Sequence, residues 1–313
     1  MNLQKQNPDL YPVHFEGRYG YINQRGEQIV PLQFDYATAF SGDRATIRSH
    51  GKTGWLGTDG SLVVPPKFDW AEPFSDGLSR IQQGELWGYA DAGGNIVIEP
   101  QYVKSLDFRF GYAAVKHQGH WGFITKTGEW AVKPEWDDAQ SFSNGLGCVM
   151  RAGRWGYVDE SGRIAIAPQY VSAMSFSEGA ARVWSDNKWG YINTSGELSV
   201  QPTFRWAYDF SDGLAAVQLS ERDPGGRSKT GFIDRSGRLV IDAVYDWALC
   251  FSDGLATVRM GGNWGFIDRT GTMVIAPQWN KSFNFEGQLT LVGTDHKLFY
   301  INRAGEVIWN PYT

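Results

Sequence analysis

The sequence predicts an all-β protein built from nine copies of one unit, and three observations support this. A glycine returns every 34 residues from Gly20 to Gly190, and after a seven-residue insertion it returns at Gly231 and Gly265. An aromatic residue follows every one of these glycines, and alternating apolar residues lie further along each unit. Helix-forming residues are not clustered anywhere. A constant period of this length indicates a repeat architecture in which neighbouring units bury one another's apolar faces.

The first element of each unit is a strand that ends in a tight turn. The residues around Tyr89 illustrate it: aromatic and aliphatic residues are followed by Asp91-x-x-Gly94. Aromatic and β-branched residues favour strands, and glycine supplies the positive φ that a tight turn needs. Ile96 and Ile98 alternate in the next strand, and the pattern predicts that Pro100 ends it.

The linker to the next unit begins at that proline. An aromatic residue stands two positions later, as at Tyr102, and a phenylalanine follows after six more, as at Phe108. A Ser-Asp-Gly turn then precedes a third strand, such as residues 214–217. The second position of this strand is small, as at Ala113 and Gly147, which indicates close approach of a large neighbour, for which the motif tryptophan is the candidate.

Each unit is therefore expected to be a three-stranded antiparallel meander of 34 residues, and the whole chain, 1–313, a single repeat domain. The units start near residues 11, 45, 79, 113, 147, 181, 215, 256 and 289. We expect an open, curved, solenoid-like stack, because the chain starts and ends in phase and encodes no blade shared between its termini. The alternative is a closed β-propeller-like ring.

The repeated pattern resembles that of a known family. Trp-Gly-Tyr-x-Asp-x-x-Gly followed by proline, often preceded by a cation such as Arg154 or Lys188, is similar to the bacterial WG repeat, also called the KWG repeat. The resemblance covers the full chain. It implies tandem β units in a protein that binds or scaffolds, and it implies no catalytic residue. Thr53, Thr230 and Ala243 depart from the pattern.

Composition limits the function classes. The net charge is −5 and lysines and arginines are dispersed, which argues against nucleic acid as a partner. Cys148 and Cys250 occupy different repeat positions, so neither a disulfide framework nor a metal site is expected. No apolar segment is long enough to span a membrane, and the N-terminus is polar. We expect a cytoplasmic protein without a cofactor; the oligomeric state stays open.

The residues that could carry chemistry are better explained by the repeat. Asp76 and Asp91 belong to periodic turns, where carboxylates accept hydrogen bonds from backbone amides. The tryptophans before the motif glycine are in register with core positions, so we expect them to be core rather than sugar-stacking residues. No nucleophile or metal motif is present, and the expectation is that the protein is not an enzyme.

Specific function in a repeat protein is expected where the repeat varies. The second residue after the post-proline aromatic is such a position, and large aromatics occupy it in two pairs of adjacent units: Tyr36, Trp70, Trp206 and Trp247. Arg205 precedes one of them. The second irregularity is the insertion within 219–229, where Arg222, Asp223 and Arg227 are expected to project into solvent. These eight residues are the predicted partner-binding residues, although burial of the aromatics under the linker is an equal alternative.

The sequence therefore favours a non-enzymatic, protein-binding repeat scaffold. A concrete form is an intracellular bacterial protein that neutralises a toxin or effector, as an immunity protein does. The alternative is a glycan-binding module that uses the exposed aromatics as stacking platforms.

Overall fold

The computed structural model describes residues 10–222, 226, 228–294 and 297–312, with only the backbone of residues 221 and 222. Over these residues the chain forms 35 β-strands and no helix. The prediction of an all-β repeat protein is therefore confirmed.

The strands are of four types that recur in a fixed order along the chain. The first type lies in the linker: β4 (Tyr36–Ser41), β8 (Trp70–Ala71), β12 (Lys104–Ser105), β16 (Asp138–Ser143), β20 (Ser172–Ala173), β24 (Trp206–Ala207), β28 (Trp247–Ser252) and β32 (Lys281–Ser282). The second type follows it: β1 (Leu10–Phe15), β5 (Arg44–Ser49), β9 (Ser79–Gln83), β13 (Tyr112–His117), β17 (Leu146–Arg151), β21 (Ala180–Ser185), β25 (Ala215–Arg222), β29 (Leu255–Met260) and β33 (Leu289–Thr294).

The third type contains the motif glycine: β2 (Arg18–Asn23), β6 (Lys52–Gly57), β10 (Leu86–Ala90), β14 (His120–Thr125), β18 (Arg154–Asp159), β22 (Lys188–Asn193), β26 (Ser228–Ile233), β30 (Asn263–Asp268) and β34 (Lys297–Asn302). The fourth type follows the Asp-x-x-Gly turn: β3 (Gln28–Phe34), β7 (Leu62–Phe68), β11 (Ile96–Tyr102), β15 (Trp130–Trp136), β19 (Ile164–Tyr170), β23 (Leu198–Phe204), β27 (Leu239–Tyr245), β31 (Met273–Trp279) and β35 (Val307–Trp309).

One strand of each type, taken in chain order, makes one antiparallel sheet. The first described sheet has the order β1-β2-β3, and each later sheet has four strands, as in β4-β5-β6-β7. The expected three-stranded meander is thus incomplete, because the linker supplies a further strand. In five of the sheets this strand is only two residues long, as in β8, which is too short to show an alternating pattern.

The open, solenoid-like stack expected from the sequence is wrong, and the alternative, a β-propeller with nine blades, is the fold class. A propeller blade is a four-stranded antiparallel sheet whose strands follow one another along the chain, and the observed sheets have that form. The expectation relied on repeats that start and end in phase. Every linker, however, already places its strand in the following sheet, so consecutive blades are joined within the chain.

The described chain divides into two compact units. Unit 1 contains residues up to 149 together with 159–163, and unit 2 contains 150–158 and 164–312. Unit 1 holds the sheets from β1 to β15, and unit 2 holds those from β20 to β35. The strands β16 to β19 continue the same order.

The proline does not end the fourth strand, contrary to the prediction, because a bulge accommodates it. Trp87 pairs with Tyr102 and Tyr89 pairs with Ile98, so three residues of β11 lie opposite Gly88 alone. A Cβ atom on Gly88 would lie 2.6 Å from the backbone nitrogen of Pro100 and would clash with the Ile98 carbonyl oxygen. The glycine and the proline face each other in this way in six blades, whereas Leu32 and Ala243 stand opposite the glycine in two others.

The last blade has no glycine at this position. Phe299 stands at the glycine position, and β35 is three residues long where the preceding fourth strand, β31, has seven. Pro311, the counterpart of the proline inside β31, lies beyond the end of β35. Tyr300 pairs with Trp309 and Ile301 with Val307, which is the register of the other blades, and the residue that would pair next, Thr313, lies outside the described residues.

The core between consecutive blades is an aromatic pair. The residue after the motif glycine is fully buried in eight blades, as at Tyr89 and Phe123. Its ring meets the linker phenylalanine of the following blade: the centroids of Tyr89 and Phe108 are 4.6 Å apart, and those of Phe123 and Phe142 are also 4.6 Å apart. Edge-to-face contacts of this kind stabilise beyond the area that they bury. A Cβ atom on Gly147 would lie 2.6 Å from Phe142, so this pair, and not the tryptophan, requires small residues there.

The tryptophan before the glycine is core in only some blades. Trp121 and Trp189 are buried, whereas Trp87, Trp155 and Trp264 are half-buried. The expectation that these tryptophans form the core between units is therefore wrong for several blades. The residue that forms this core is the aromatic directly after the glycine, two positions further along the strand.

Candidate binding surface

The variable positions lie at the blade end that carries the hairpin between second and third strands. Trp206, the first residue of β24, pairs with Gln218 of β25, and Gln218 pairs with Thr230 of β26. The inserted residues lie between Gln218 and Thr230 in the chain. The structure therefore brings one predicted aromatic position and the predicted insertion to the same end of one blade.

Five aromatic side chains form a continuous row at this end of unit 2, and we call them the aromatic surface. They are Trp184, Trp189, Trp206, Tyr208 and Trp247. Neighbouring ring centroids along the row are 5.3, 6.2, 6.2 and 6.4 Å apart, with interplanar angles between 70° and 88°. The rings thus meet edge to face, which is a favourable geometry for aromatic pairs.

Local structure explains why two of these tryptophans are neighbours. Trp184 of β21 and Trp189 of β22 are directly opposite each other in the antiparallel ladder. Asp186 and Asn187, which form the hairpin between them, both have positive φ, at 51° and 61°. This is the two-residue turn whose twist matches that of the flanking strands. Such a tight hairpin holds the two indoles side by side.

The members differ in exposure, and this separates their roles. Trp189 is 6% exposed and packs into a core cluster with Phe204 and Val217. Trp206 is 40% exposed, and Trp184, Tyr208 and Trp247 are half-buried. The Trp247 indole donates a hydrogen bond to the Tyr208 hydroxyl at 3.2 Å. The buried Trp189 therefore fixes the row to the core, and Trp206 is its solvent-exposed member.

The other two predicted aromatics form a smaller patch in unit 1. Tyr36 contacts Tyr19 at 5.7 Å and Trp70 at 5.9 Å between ring centroids. The Arg48 guanidinium lies 5.1 Å from the Trp70 ring, and the Trp70 indole donates to the Glu72 carboxylate at 3.1 Å. Burial, followed by the neighbouring Tyr19 and Glu72, raises the pKa of Tyr36. These rings are already engaged within the blades.

Of the predicted charged residues, the structure places Arg205 beside the insertion. Arg205 is exposed, and its Nη1 donates to the Ser228 hydroxyl at 3.4 Å. The backbone of Arg222 pairs with Ser228 at the end of the lengthened hairpin. The side chain of Arg222, and the predicted residues Asp223 and Arg227, lie outside the described part of the chain.

A cation and an aspartate form a pair at this end of several blades. The cation stands two residues before the motif glycine and the aspartate follows the fourth strand: the pairs are Arg18–Asp35, Lys52–Asp69 at 2.5 Å and Lys229–Asp246 at 2.6 Å. In the blade that contains Trp189 the same two positions hold Lys188 and Arg205, which are both cations. The carboxylate that balances the lysine elsewhere is absent at that position.

An open cavity of about 270 Å³ lies next to the aromatic surface. Ser228, Asp246, Arg259 and Gly262 line it. Arg259 is the ladder partner of Trp247, so the cavity adjoins the far end of the aromatic row. The Lys229 ammonium, together with the backbone amides of Gly261 and Gly262, lowers the pKa of Asp246. Its carboxylate is thus ionised and engaged.

The groups that could carry chemistry elsewhere are engaged in the fold. Ser161 and the backbone of its own turn lower the pKa of Asp159, and similar bonds are found in the turns of Asp234 and Asp268. Burial, followed by the charge of Asp209, raises the pKa of the Cys250 thiol to about 11. Among the described residues no group of three or more His, Cys, Asp and Glu side chains is arranged to hold a metal ion.

Sequence reasoning missed Trp184, Tyr208 and Arg259. A comparison of the repeats position by position indicates the first two: His14, Arg48, Gln82 and Lys116 stand where Trp184 stands, and Thr38, Glu72 and Leu106 where Tyr208 stands. Each is thus an aromatic at a position that is polar or aliphatic in several other repeats. Arg259 carries no such signal, because Arg48 occupies the same repeat position; only the cavity reveals it.

The described residues contain no helix that could cross a membrane. A search of curated proteins found no match. Among solved structures, a eukaryotic initiation factor is similar with a TM-score of 0.48 and 11% identity, over 96% of this chain and 84% of its own. The dihydro-heme d1 dehydrogenase NirN in complex with DHE is similar with a TM-score of 0.46 and 11% identity, over 98% of this chain and 73% of its own. The WD40 domain of SCAP from fission yeast is similar with a TM-score of 0.36 and 11% identity, over 84% of this chain and 96% of its own.

A family model described as "WG containing repeat" matches most of the sequence. It matches residues 19–52, 54–87, 87–119, 121–155, 155–189, 189–221, 231–264 and 264–295. Each match begins in or next to the third strand of one blade and ends between the end of the second strand and the start of the third strand of the next blade, so the sequence repeat is offset from the blade by half a sheet. With eight matched repeats, and the offset explained by the linker strand, the chain belongs to the WG-repeat family.

Proposed function

We propose that this protein is a non-enzymatic, protein-binding scaffold and that the aromatic surface is where its partner binds. The observation that carries the proposal is the contiguity of that surface: five rings in unbroken contact, with Trp206 40% exposed. Binding hot spots are enriched in tryptophan and tyrosine, which combine a large apolar area with a polar group. An aromatic platform supported by a buried base meets both conditions.

The absence of an enzymatic role belongs to this proposal. The aspartates of the repeated turns accept hydrogen bonds from their own turn, and this leaves them poorly suited to act as a catalytic pair. In this repeat array the positions that recur in every unit form turns and core, so variation between units is found at the surface.

Capture experiments with the full chain test the proposal. The wild type, Trp206→Ala and Trp130→Ala would each be immobilised and exposed to an extract of the native cells. Trp130 is the matched control because it is 38% exposed and lies outside the aromatic surface. We expect a reproducible protein partner to be retained by the wild type and by Trp130→Ala and to be lost with Trp206→Ala. Retention by all three chains, or no reproducible partner, would contradict the proposal.

A narrower form of the proposal is that the partner is a toxin or effector which this protein neutralises inside the cytoplasm. The partner identified by capture would be expressed alone and together with the scaffold. Growth arrest that the wild type relieves and Trp206→Ala does not would support neutralisation; a harmless partner would exclude it.

Glycan binding is the second candidate, and the exposed Trp206 ring is the observation that favours it. Indole faces stack on sugar rings, so an oligosaccharide would change the tryptophan fluorescence. A saturable change that disappears in Trp206→Ala would favour a glycan ligand. Within the aromatic surface Trp206 is the exposed ring, so one sugar-stacking platform is expected there.

A further inference from the structure

We propose that the occupant of the aromatic surface is an acidic peptide segment of the partner protein. An apolar side chain of that segment lies on Trp206, and its carboxylates bind Arg205, Lys188 and Arg259. This inference rests on the proposed function and adds the chemistry of the partner.

The first argument is the replaced aspartate. Three blades neutralise the cation two residues before the motif glycine with an aspartate after the fourth strand, as in Lys229–Asp246. At the aromatic surface Arg205 takes the place of that aspartate, so two cations stand where those three blades have a neutral pair. Like charges on adjacent strands destabilise a sheet unless an anion lies between them. An arginine there is therefore better explained by an external carboxylate than by the fold.

The second argument is how these two cations are held. The Lys188 ammonium donates to the Ser220 hydroxyl, which in turn donates to the Thr203 carbonyl at 2.6 Å. Arg205 donates to the Ser228 hydroxyl at 3.4 Å. Within the described part of the chain, the hydrogen-bond partners of both side chains are neutral hydroxyls, so neither interaction balances the charge. A carboxylate is the group that arginine binds best, through two parallel hydrogen bonds.

The third argument is the cation at the other end of the aromatic row. Arg259 is exposed and lies across the ladder from Trp247. Its Nε donates to the Gly262 carbonyl at 3.1 Å and its guanidinium lies 5.8 Å from the Trp264 ring, and among the described residues its terminal nitrogens have no hydrogen-bond partner. These nitrogens therefore remain available toward the cavity that Arg259 lines.

Among the side chains that the structure describes, the acidic groups close to these cations are already engaged. Asp246 binds Lys229 at 2.6 Å, and Asp186 accepts from the Ser185 hydroxyl at 3.2 Å. The whole chain carries a net charge of −5, so this patch is opposite in sign to the molecule as a whole. Cations on both sides of an apolar strip are complementary to a segment that has acidic residues on both sides of an apolar one.

The test uses fluorescence anisotropy with the full chain and three short labelled peptides. The first alternates glutamate with leucine and phenylalanine, the second has glutamine in place of glutamate, and the third has lysine. We expect the glutamate peptide to bind at least about tenfold more tightly than the glutamine peptide, and raised salt to remove most of the difference. The lysine peptide is expected to bind weakest.

Two variants with the same change of charge separate this site from general electrostatics. Arg205→Asp restores the cation–aspartate pair that three other blades have, so this variant is expected to fold. We expect its affinity for the glutamate peptide to be about tenfold lower than that of the wild type. Arg238→Asp is the control, because Arg238 lies in the hairpin at the opposite end of the blade formed by β24 to β27. The affinity of the Arg238→Asp variant for the glutamate peptide is expected to remain within about twofold of that of the wild type.

The outcomes are distinguishable. Equal weakening by Arg205→Asp and Arg238→Asp, equal binding of the lysine peptide, no binding of the glutamate peptide, or tighter binding of a single-stranded oligonucleotide would each overturn the inference. Loss of binding in Trp206→Ala with no effect of Arg205→Asp would leave the aromatic surface as a binding site and remove only the acidic segment. The proposed function itself stands or falls on the capture experiment.

Discussion

At the scale of single residues, neighbouring members of one row have different tasks. Trp189 and Trp206 have ring centroids 6.2 Å apart, yet one is 6% exposed and the other 40%. The difference follows from position, because Trp189 begins a ladder that packs against Phe204 and Val217, whereas Trp206 opens the short first strand of the next blade. Folding and binding can therefore be separated by substitution at this site.

The first prediction compares Trp189→Ala with Trp206→Ala. Emptying the buried Trp189 site is expected to lower the free energy of unfolding by roughly 3–5 kcal/mol. Truncation of the exposed Trp206 is expected to lower it by about 1 kcal/mol or less while weakening partner binding. Urea denaturation of both variants measures this. Equal destabilisation would show that Trp206 is core and would remove the proposed binding surface.

The second prediction concerns the hydroxyl of a buried tyrosine. Tyr21 is fully buried, and its hydroxyl donates to the Thr38 carbonyl of the following blade at 2.9 Å. Tyr21→Phe keeps the ring but leaves that carbonyl without its donor, so the free energy of unfolding is expected to fall by about 1–2 kcal/mol. Tyr19→Phe, at a half-buried ring two residues away, is the control and is expected to change little. Denaturation midpoints that agree for both variants would count against this bond as a link between blades.

At the scale of elements, local chemistry made most strands predictable. The alternation of Ile96 and Ile98, the aromatic after each glycine and the Asp-x-x-Gly turn identified the second, third and fourth strands of each blade. The first strand was missed because Trp70–Ala71 is too short to show a period, and because its ladder partner, Ile81 opposite Ala71, comes from the next sequence unit. The bulge was missed for a different reason: a proline normally predicts a strand end, and only the facing glycine lets the strand continue.

The third prediction tests that glycine. A methyl group on Gly88 would lie 2.6 Å from the Pro100 nitrogen, and because the neighbours are backbone atoms they cannot rotate away. Gly88→Ala is therefore expected to destabilise the fold by about 1–3 kcal/mol or more. Gly93→Ala, in the turn of the same blade, meets side-chain atoms no closer than 3.4 Å and is expected to be nearly neutral. Thermal melts of the two variants decide it, and a neutral Gly88→Ala would mean that the bulge is not needed.

At the scale of the whole molecule, the sequence predicted the class and the number of repeats but not the architecture. The choice of an open stack rested on repeats that start and end in phase, whereas the four-stranded blade is completed within the chain by each linker. The binding surface was predicted in part: Trp206, Trp247 and Arg205 are variable within the repeat, but their assembly with Trp184 and Tyr208 depends on ladder register. Register is decided by contacts between sequence units, which one unit cannot show.

The last prediction follows from an arrangement found in several blades, the buried tyrosine after the glycine. Burial raises the pKa of Tyr21, Tyr89 and Tyr191 far above the ordinary value of 10.0. The unfolded chain releases these protons near pH 10 and the folded chain does not, so their stabilisation is complete below that pH and is lost as the pH rises above it. Each tyrosine contributes a loss of up to about 1.4 kcal/mol per pH unit.

We therefore expect the urea midpoint to be steady between about pH 7 and pH 9 and to fall steeply above about pH 10. Lysines also titrate in this range, so the control is the triple variant Tyr21→Phe, Tyr89→Phe, Tyr191→Phe. It is expected to be less stable than the wild type at neutral pH but to lose stability more slowly as the pH rises. An identical alkaline slope in both chains would mean that the three hydroxyls ionise in the folded protein, and that the contact between blades is open to water.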